Sequence, residues 1–153
     1  MNREAPDILV RTKSDYDGAE PSGNSIAVLN LLRLSQFTED SNFREKAEKT
    51  LGLFASKVAS YPYAMPEMMT GAMWILESPM QIVFAGVDVS MLKAEVNAHY
   101  LPRSVRMKSS ESLGEFAKSL AEKNGSAGAY ICHNFVCELP VSEPEELKKL
   151  LNQ

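Results

Sequence analysis

Ser78-Pro79-Met80-Gln81-Ile82-Val83-Phe84-Ala85-Gly86-Val87-Asp88 is where this chain changes its hydrophobic period. Upstream of it, apolar residues recur every three or four positions; here Gln81 to Ala85 reads as a short continuous apolar run. A run that short and that apolar suits a strand covered on both faces. Ser78-Pro79 closes the helical pattern, because the residue before a proline is driven out of helical geometry. The switch divides the chain into a helical segment, 1–78, with an entry loop over 1–24, and an α/β segment, 79–153.

Reading outward toward the C-terminus, Gly86 and Asp88 open a helix that carries Leu92, Val96 and Tyr100, with Asp88 as its cap. Val105 and Met107 lie on a second strand. Ser112 caps the next helix, which turns Leu113, Phe116, Ala117 and Leu120 inward and stops at Asn124-Gly125. Ala129–Cys132 and Phe135–Leu139 form a hairpin turning at His133-Asn134, and Glu143–Leu151 is a closing helix. The order predicts a βαβαββα layer, with a mostly parallel sheet and one antiparallel addition.

Reading the other way, Pro66 to Glu77 is a helix with Met65, Met68, Met69, Ala72, Met73 and Leu76 on one stripe. Such a stripe can serve as a plastic binding face, but packing against neighbouring helices is the stronger reading. Ser41 to Ser60 is an amphipathic helix with Phe43, Ala47, Leu51, Phe54 and Val58 inward, ended by Tyr61-Pro62. Ile26 to Leu34 is apolar nearly all round, so it must be covered on most sides; Asn24 or Ser25 is its expected N-cap. The fold class is therefore α+β, with helices first and a mixed layer after them.

Composition excludes several functions. A formal charge of −4 with scattered lysines and arginines lacks the concentrated basic surface that a non-specific nucleic-acid binder needs. No apolar stretch reaches the roughly 20 residues that span a bilayer, and Arg3, Glu4 and Asp7 interrupt any secretory h-region. Cys132 and Cys137 are spaced C-x4-C, neither a redox C-x-x-C nor half of a zinc site. In the expected hairpin Cys132 faces Phe135 and Cys137 faces Tyr130, which leaves the cysteine Cα atoms diagonal, roughly 7–8 Å apart. That register predicts free, buried thiols and a reducing, cytoplasmic compartment.

No complete catalytic apparatus is written in the chain. Phe84-Ala85-Gly86-Val87-Asp88 sits where a doubly wound sheet binds a nucleotide phosphate, yet it has one glycine and no G-x-G-x-x-G. His99 and His133 fall at a helix end and a hairpin tip, without acids or thiols at ligand spacing, so neither a metal nor a cofactor is expected. The loop from Arg11 to Ser25 is different. It gathers cations, acids, hydroxyls and amides just ahead of a buried helix, and polar groups entering such a region must be hydrogen-bonded to backbone or to a ligand. Chemistry alone favours a loop held in shape by turn and cap bonds from Asp17, Ser22 and Asn24.

Arg11 to Leu34, R-T-K-S-D-Y-D-G-A-E-P-S-G-N-S-I-A-V-L-N-L-L-R-L, closely resembles part of the spermatogenesis-associated thioredoxin-like protein family; P-S-G-N-S followed by N-L-L-R-L is the specific part. Y-I-C-H-N-F-V-C-E-L-P-V, from Tyr130 to Val141, and the acidic closing helix resemble that family's terminus. Long members carry a thioredoxin-like domain and then an α/α toroid similar to sugar epimerases and six-hairpin glycosidases. The resemblance implies that this chain is a C-terminal fragment, the toroid's closing helices plus a terminal α/β layer. It also implies that the entry loop lies at the mouth of a central cavity, which Arg11, Lys13, Asp17, Glu20, Ser22 and Asn24 line. The expected function is that of a non-catalytic module; the alternative is part of a carbohydrate-active enzyme, with Asp17 and Glu20 as candidate acids. The expected partners are the remainder of the longer protein, a second copy of the chain joined through the helical half, and a sugar-like small molecule.

Overall fold

The computed structural model describes residues 13–110, 113–123 and 127–152, with backbone alone at 121–123. Arg11, Ser112 and Asn124-Gly125 lie outside the described residues.

Three helices come first: α1 (Gly23–Thr38), α2 (Ser41–Ser60) and α3 (Pro66–Leu76), with a 3-10 turn at Pro62–Ala64 between the last two. The α2 boundaries are those that the sequence predicts. Asp40 supplies the N-cap by accepting the Asn42 N–H at 2.9 Å, and Ala47 and Val58 are buried. Helix α1 is longer than expected, and its N-cap is Ser22 rather than Asn24 or Ser25: the Ser22 hydroxyl accepts the Ser25 N–H at 3.2 Å. Of the methionine stripe, Met65 and Met68 are fully buried, whereas Met73 and Leu76 are exposed.

The second segment runs β1 (Met80–Ala85), α4 (Ser90–Asn97), β2 (Ser104–Lys108), α5 (Glu115–Lys123), β3 (Gly128–His133), β4 (Val136–Cys137) and α6 (Pro144–Leu151). The order of elements is the expected βαβαββα, but the sheet is mixed rather than mostly parallel. Its strand order is β2-β1-β3-β4, with β1 parallel to β2 and antiparallel to β3, and β4 antiparallel to β3. The path of the chain between β2 and β3 is the reason. Phe84 pairs with Lys108 and Ala85 with Gly128, so the chain leaves β2 and enters β3 at the same end of the sheet. Helix α5 starts at the opposite end, where Phe116 packs on Phe135 beside the His133–Met80 pair, and its nine residues run roughly 13 Å back along the sheet, so the next strand runs the other way. Asp88 accepts from the Ser90 N–H and hydroxyl just ahead of α4. Tyr100 lies beyond the end of α4, not on it as expected, and is exposed.

The sheet separates two cores. On one face Ile82, Phe84, Ala129 and Ile131 pack with Val89, Leu92 and Val96 of the α4 region and Leu147 and Leu151 of α6. On the other, Val83, Val105, Met107, Tyr130 and Cys132 share a cluster with Ala117 and Leu120 of α5 and with Val28, Leu29, Leu32, Met68 and Trp74 of the helical segment. The Ser78-Pro79 join falls between α3 and β1, and this second cluster extends across it.

The hairpin corrects the cysteine reading. Its turn is Asn134-Phe135, one residue later than expected, with φ of 49° and 62°. His133 therefore pairs with Val136 and Cys132 with Cys137. Moving the turn by one residue shifts the partner of Cys137 by two, from Tyr130 to Cys132 on the same face, and the two cysteines are joined in a disulfide. With no free cysteine in the chain, the argument from thiols to a reducing compartment falls. Among the described residues, no helix is long and apolar enough to cross a membrane.

Candidate functional site

Helix α3 begins with a gap in its hydrogen bonding that its own sequence cannot fill. Met65 stands at the N-cap with no side-chain cap, and Pro66 follows it at the first helical position. The first free amides, of Glu67 and Met68, therefore need an acceptor from elsewhere in the chain. Asp17 provides it: its Oδ2 accepts the Glu67 N–H at 3.0 Å and the Met68 N–H at 3.1 Å. Its other oxygen, Oδ1, accepts the Ser22 N–H at 2.8 Å, where α1 starts. The backbone joins in, with the Asp17 N–H donating to the Ala64 carbonyl at 2.9 Å.

Asp17 thus pins the N-termini of α1 and α3 to one another. Its side chain is only 6% exposed. Burial alone would raise its pKa, but the Ser22 amide, the Ser25 hydroxyl, the Met68 amide and the Ser22 hydroxyl outweigh that and hold the carboxyl below its ordinary value. The positive ends of two helix dipoles favour the same charged state.

The other loop residues are dispersed around this clamp. Ser22 is buried at the α1 cap, its hydroxyl 2.8 Å from that of Ser25. Asn24 donates from Nδ2 to the Ser14 carbonyl at 2.6 Å. Lys13 and Asn24 line a hollow of about 570 Å³ with Ser14, Thr50, Leu53 and Phe54. Glu20 is exposed. The structure therefore brings together Asp17 with Ser22, and Lys13 with Asn24, but does not gather all of these side chains around one hollow. Asp17, one of the two candidate acids, has both oxygens engaged with backbone amides. The histidines stand apart: His133 ends β3, and His99 Nε2 lies 3.7 Å from Glu95 after α4.

A second carboxylate clamp has no counterpart in the sequence reading. Glu39 caps the C-terminus of α1 in the left-handed conformation, with φ of 61°. Its Oε1 accepts the Phe116 N–H at the start of α5, at 2.8 Å. Gly114 leaves room for this carboxylate, because a Cβ there would collide with it. Beside it a cleft of about 320 Å³ separates the α1–α2 corner from the hairpin tip, with Ser35, Glu39, Arg44 and Phe135 among its walls. Arg44 is itself engaged, by Glu48 Oε1 at 2.8 Å and the Ile75 carbonyl at 3.4 Å. The cap of α3 leaves one detectable signal, a helix start whose own residues offer no side-chain acceptor.

Comparison with known proteins gives a consistent relationship. Spermatogenesis-associated protein 20 of Homo sapiens is 33% identical over 156 residues, covering 95% of this chain and 20% of that protein. The Mus musculus protein of that name is 34% identical over 96% of this chain and 20% of its own length. An uncharacterised protein of Caenorhabditis elegans is 33% identical over 96% of the chain and 21% of its length. The chain spans about a fifth of the length of the curated relatives it matches, consistent with a C-terminal segment of a longer protein. No family model and no solved structure matches it.

Proposed function

We propose that this chain, a member of the spermatogenesis-associated protein family corresponding to one segment of its long relatives, is a non-catalytic module that stabilises and docks onto the remainder of such a protein. The observation that carries this reading is the engagement of Asp17: this carboxylate, the one buried among the described residues of the entry loop, is bound by three backbone amides. A group held in that way stabilises a fold and keeps little of its acceptor capacity, about four sites in all, for a substrate. The helical half offers the docking surface. Leu53 is 79% and Leu76 83% exposed, and Ile26, Leu34 and Met73 are partly uncovered. In this reading α1–α3 are closing helices of a larger helical ring such as an α/α toroid, whose other helices cover those side chains. Alone in solution, the same surface pairs with a second copy of the chain.

A second reading rests on the hollow beside Lys13 and Asn24. It combines a cation, an amide and the half-buried ring of Phe54, groups that suit a sugar-like ligand, and it would make the loop one wall of a carbohydrate cavity completed by the remainder of a longer protein. A thermal-shift panel of sugars, sugar phosphates and nucleotides separates the two readings. The module reading expects no saturable shift for this chain; a shift abolished by Asn24→Ala, in a variant as stable as the parent, overturns it in favour of the cavity.

A further inference from the structure

The tip of the β3–β4 hairpin is held by a covalent bond, a buried polar contact and an aromatic contact. Cys132 and Cys137 lie directly across from one another and are joined. The Glu138 N–H donates to the Ile131 carbonyl at 3.0 Å, so the cysteines occupy the intervening non-hydrogen-bonded pair, where facing side chains approach most closely. Beyond them Asn134 and Phe135 both have positive φ. Asparagine tolerates that conformation; phenylalanine has no local bond to compensate for its crowded Cβ.

Gln81, fully buried on β1 and paired in register with Cys132, reaches the tip by accepting the Phe135 N–H at 3.0 Å. Its Nε2 has no hydrogen-bond partner among the described residues. The Phe135 ring meets Phe116 of α5 edge-on at 5.3 Å and, with Asn134, walls the cleft that faces Glu39 and Arg44. The closed tip therefore combines two unfavourable features, a left-handed aromatic residue and a buried amide lacking an acceptor, with a covalent loop that excludes the open conformations.

We propose that Cys132–Cys137 is a reversible thiol–disulfide exchange site for dithiol reductants, and that its state sets whether the hairpin tip closes the cleft against α1 and α2. Cys132 is fully buried and Cys137 half-buried, so an incoming thiolate attacks the Cys137 sulfur. The S–S bond breaks, and Cys132 leaves as a thiolate and takes a proton from water. The second thiol of the reductant, deprotonated, then attacks its own sulfur in the mixed disulfide and releases Cys137 as a thiolate, which is protonated in turn. Two electrons pass from the dithiol to the protein, and the reductant departs as its cyclic disulfide. The short β3–β4 pairing, the Gln81–Phe135 hydrogen bond and the ring contact then remain to hold the tip. They are opposed by Phe135 relaxing out of the left-handed region and by hydration of the Gln81 amide.

Hydrogen exchange read by mass spectrometry, on the chain equilibrated with reduced or with oxidised dithiothreitol, tests this. Reduction is expected to speed exchange of the amides at 134–138 and at Phe116 by about tenfold or more, toward a ceiling of about fortyfold set by the chain entropy of so short a loop. Helices α2 and α6 are expected to keep their rates, and reoxidation to restore the tip. A Cys132→Ser/Cys137→Ser variant should resemble the reduced chain in either buffer, which separates loss of the bond from effects of the reagent. Unchanged exchange at 134–138 on reduction overturns the latch. So does acceleration throughout α2 and α6, which would make the bond a support of the whole fold. Two titratable thiols in the native chain after equilibration with oxidised dithiothreitol overturn the exchange site itself.

Discussion

Replacing Asp17 by alanine removes the acceptor of three backbone amides and leaves those of Ser22 and Met68 buried with no partner. Orphaning a buried donor costs about 1–3 kcal/mol, and losing the remaining cap contacts adds about 1 kcal/mol. The expected loss is therefore at least about 3 kcal/mol, a large share of the roughly 5–15 kcal/mol that stabilises an ordinary domain. With a urea slope of about 2 kcal/mol per molar, the unfolding midpoint should fall by roughly 1.5 M without a change in slope. Protonation gives an independent reading of the same contact. The folded carboxyl titrates below the ordinary value of 3.8, so its contribution is complete above that value and fades as the pH falls through the folded pKa. Parent stability should carry a component lost on acidification that Asp17→Asn lacks. Urea titrations of both proteins between pH 7 and pH 3 measure it. An Asp17→Ala variant within about 0.5 kcal/mol of the parent, within the range of ordinary surface substitutions, would refute the clamp and return Asp17 to the list of groups open to a ligand.

Ser22→Ala should cost about 1 kcal/mol through the α1 cap, whereas Asn24→Ala, whose one bond is exposed, should stay within about 0.5 kcal/mol; urea midpoints compare the two. Glu39→Ala should destabilise the chain by about 0.5–2 kcal/mol and speed amide exchange at the start of α5 while leaving α6 unchanged. Gly114→Ala, whose new methyl collides with the Glu39 carboxylate, should cost at least as much, and the two losses should not add, because both break one contact. Light scattering over a dilution series should show a concentration-dependent dimer of the isolated chain. Leu53→Glu or Leu76→Glu should shift it toward monomer, and a strict monomer at high micromolar concentration would contradict docking through the helical half.

Local periodicity was enough to place α2, because its apolar stripe, the Asp40 cap and Tyr61-Pro62 all lie within the segment they define. The same is true of β1 and β2, where Ile82 to Ala85 and Val105/Met107 declare their burial directly. The errors belong to features settled by residues far apart in the chain. Alternation in the hairpin is compatible with a turn at His133-Asn134 or at Asn134-Phe135, since no glycine marks the left-handed positions. What selects the later turn is Gln81, some fifty residues upstream, accepting the Phe135 amide, together with the bond between the cysteines. The direction of β3 likewise depends on α5 starting at the hairpin end, where Phe116 meets Phe135, and returning the chain to the end at which β2 stopped, a path that the connecting residues do not specify.

The remote caps show the same limit more sharply. Asp17 reaches 50 residues forward to Glu67, and Glu39 reaches 77 to Phe116; neither pairing leaves a local pattern. A negative signal was nevertheless present. Met65-Pro66 offers α3 no side-chain acceptor, and a helix start packed into a core cannot leave its first amides unpaired. That requirement could have been matched to the one loop rich in carboxylates and hydroxyls. Such accounting of backbone donors points to Asp17 as a cap for α3. The same accounting explains why a loop so polar need not be a site: its charge answers a need created by the backbone of another helix.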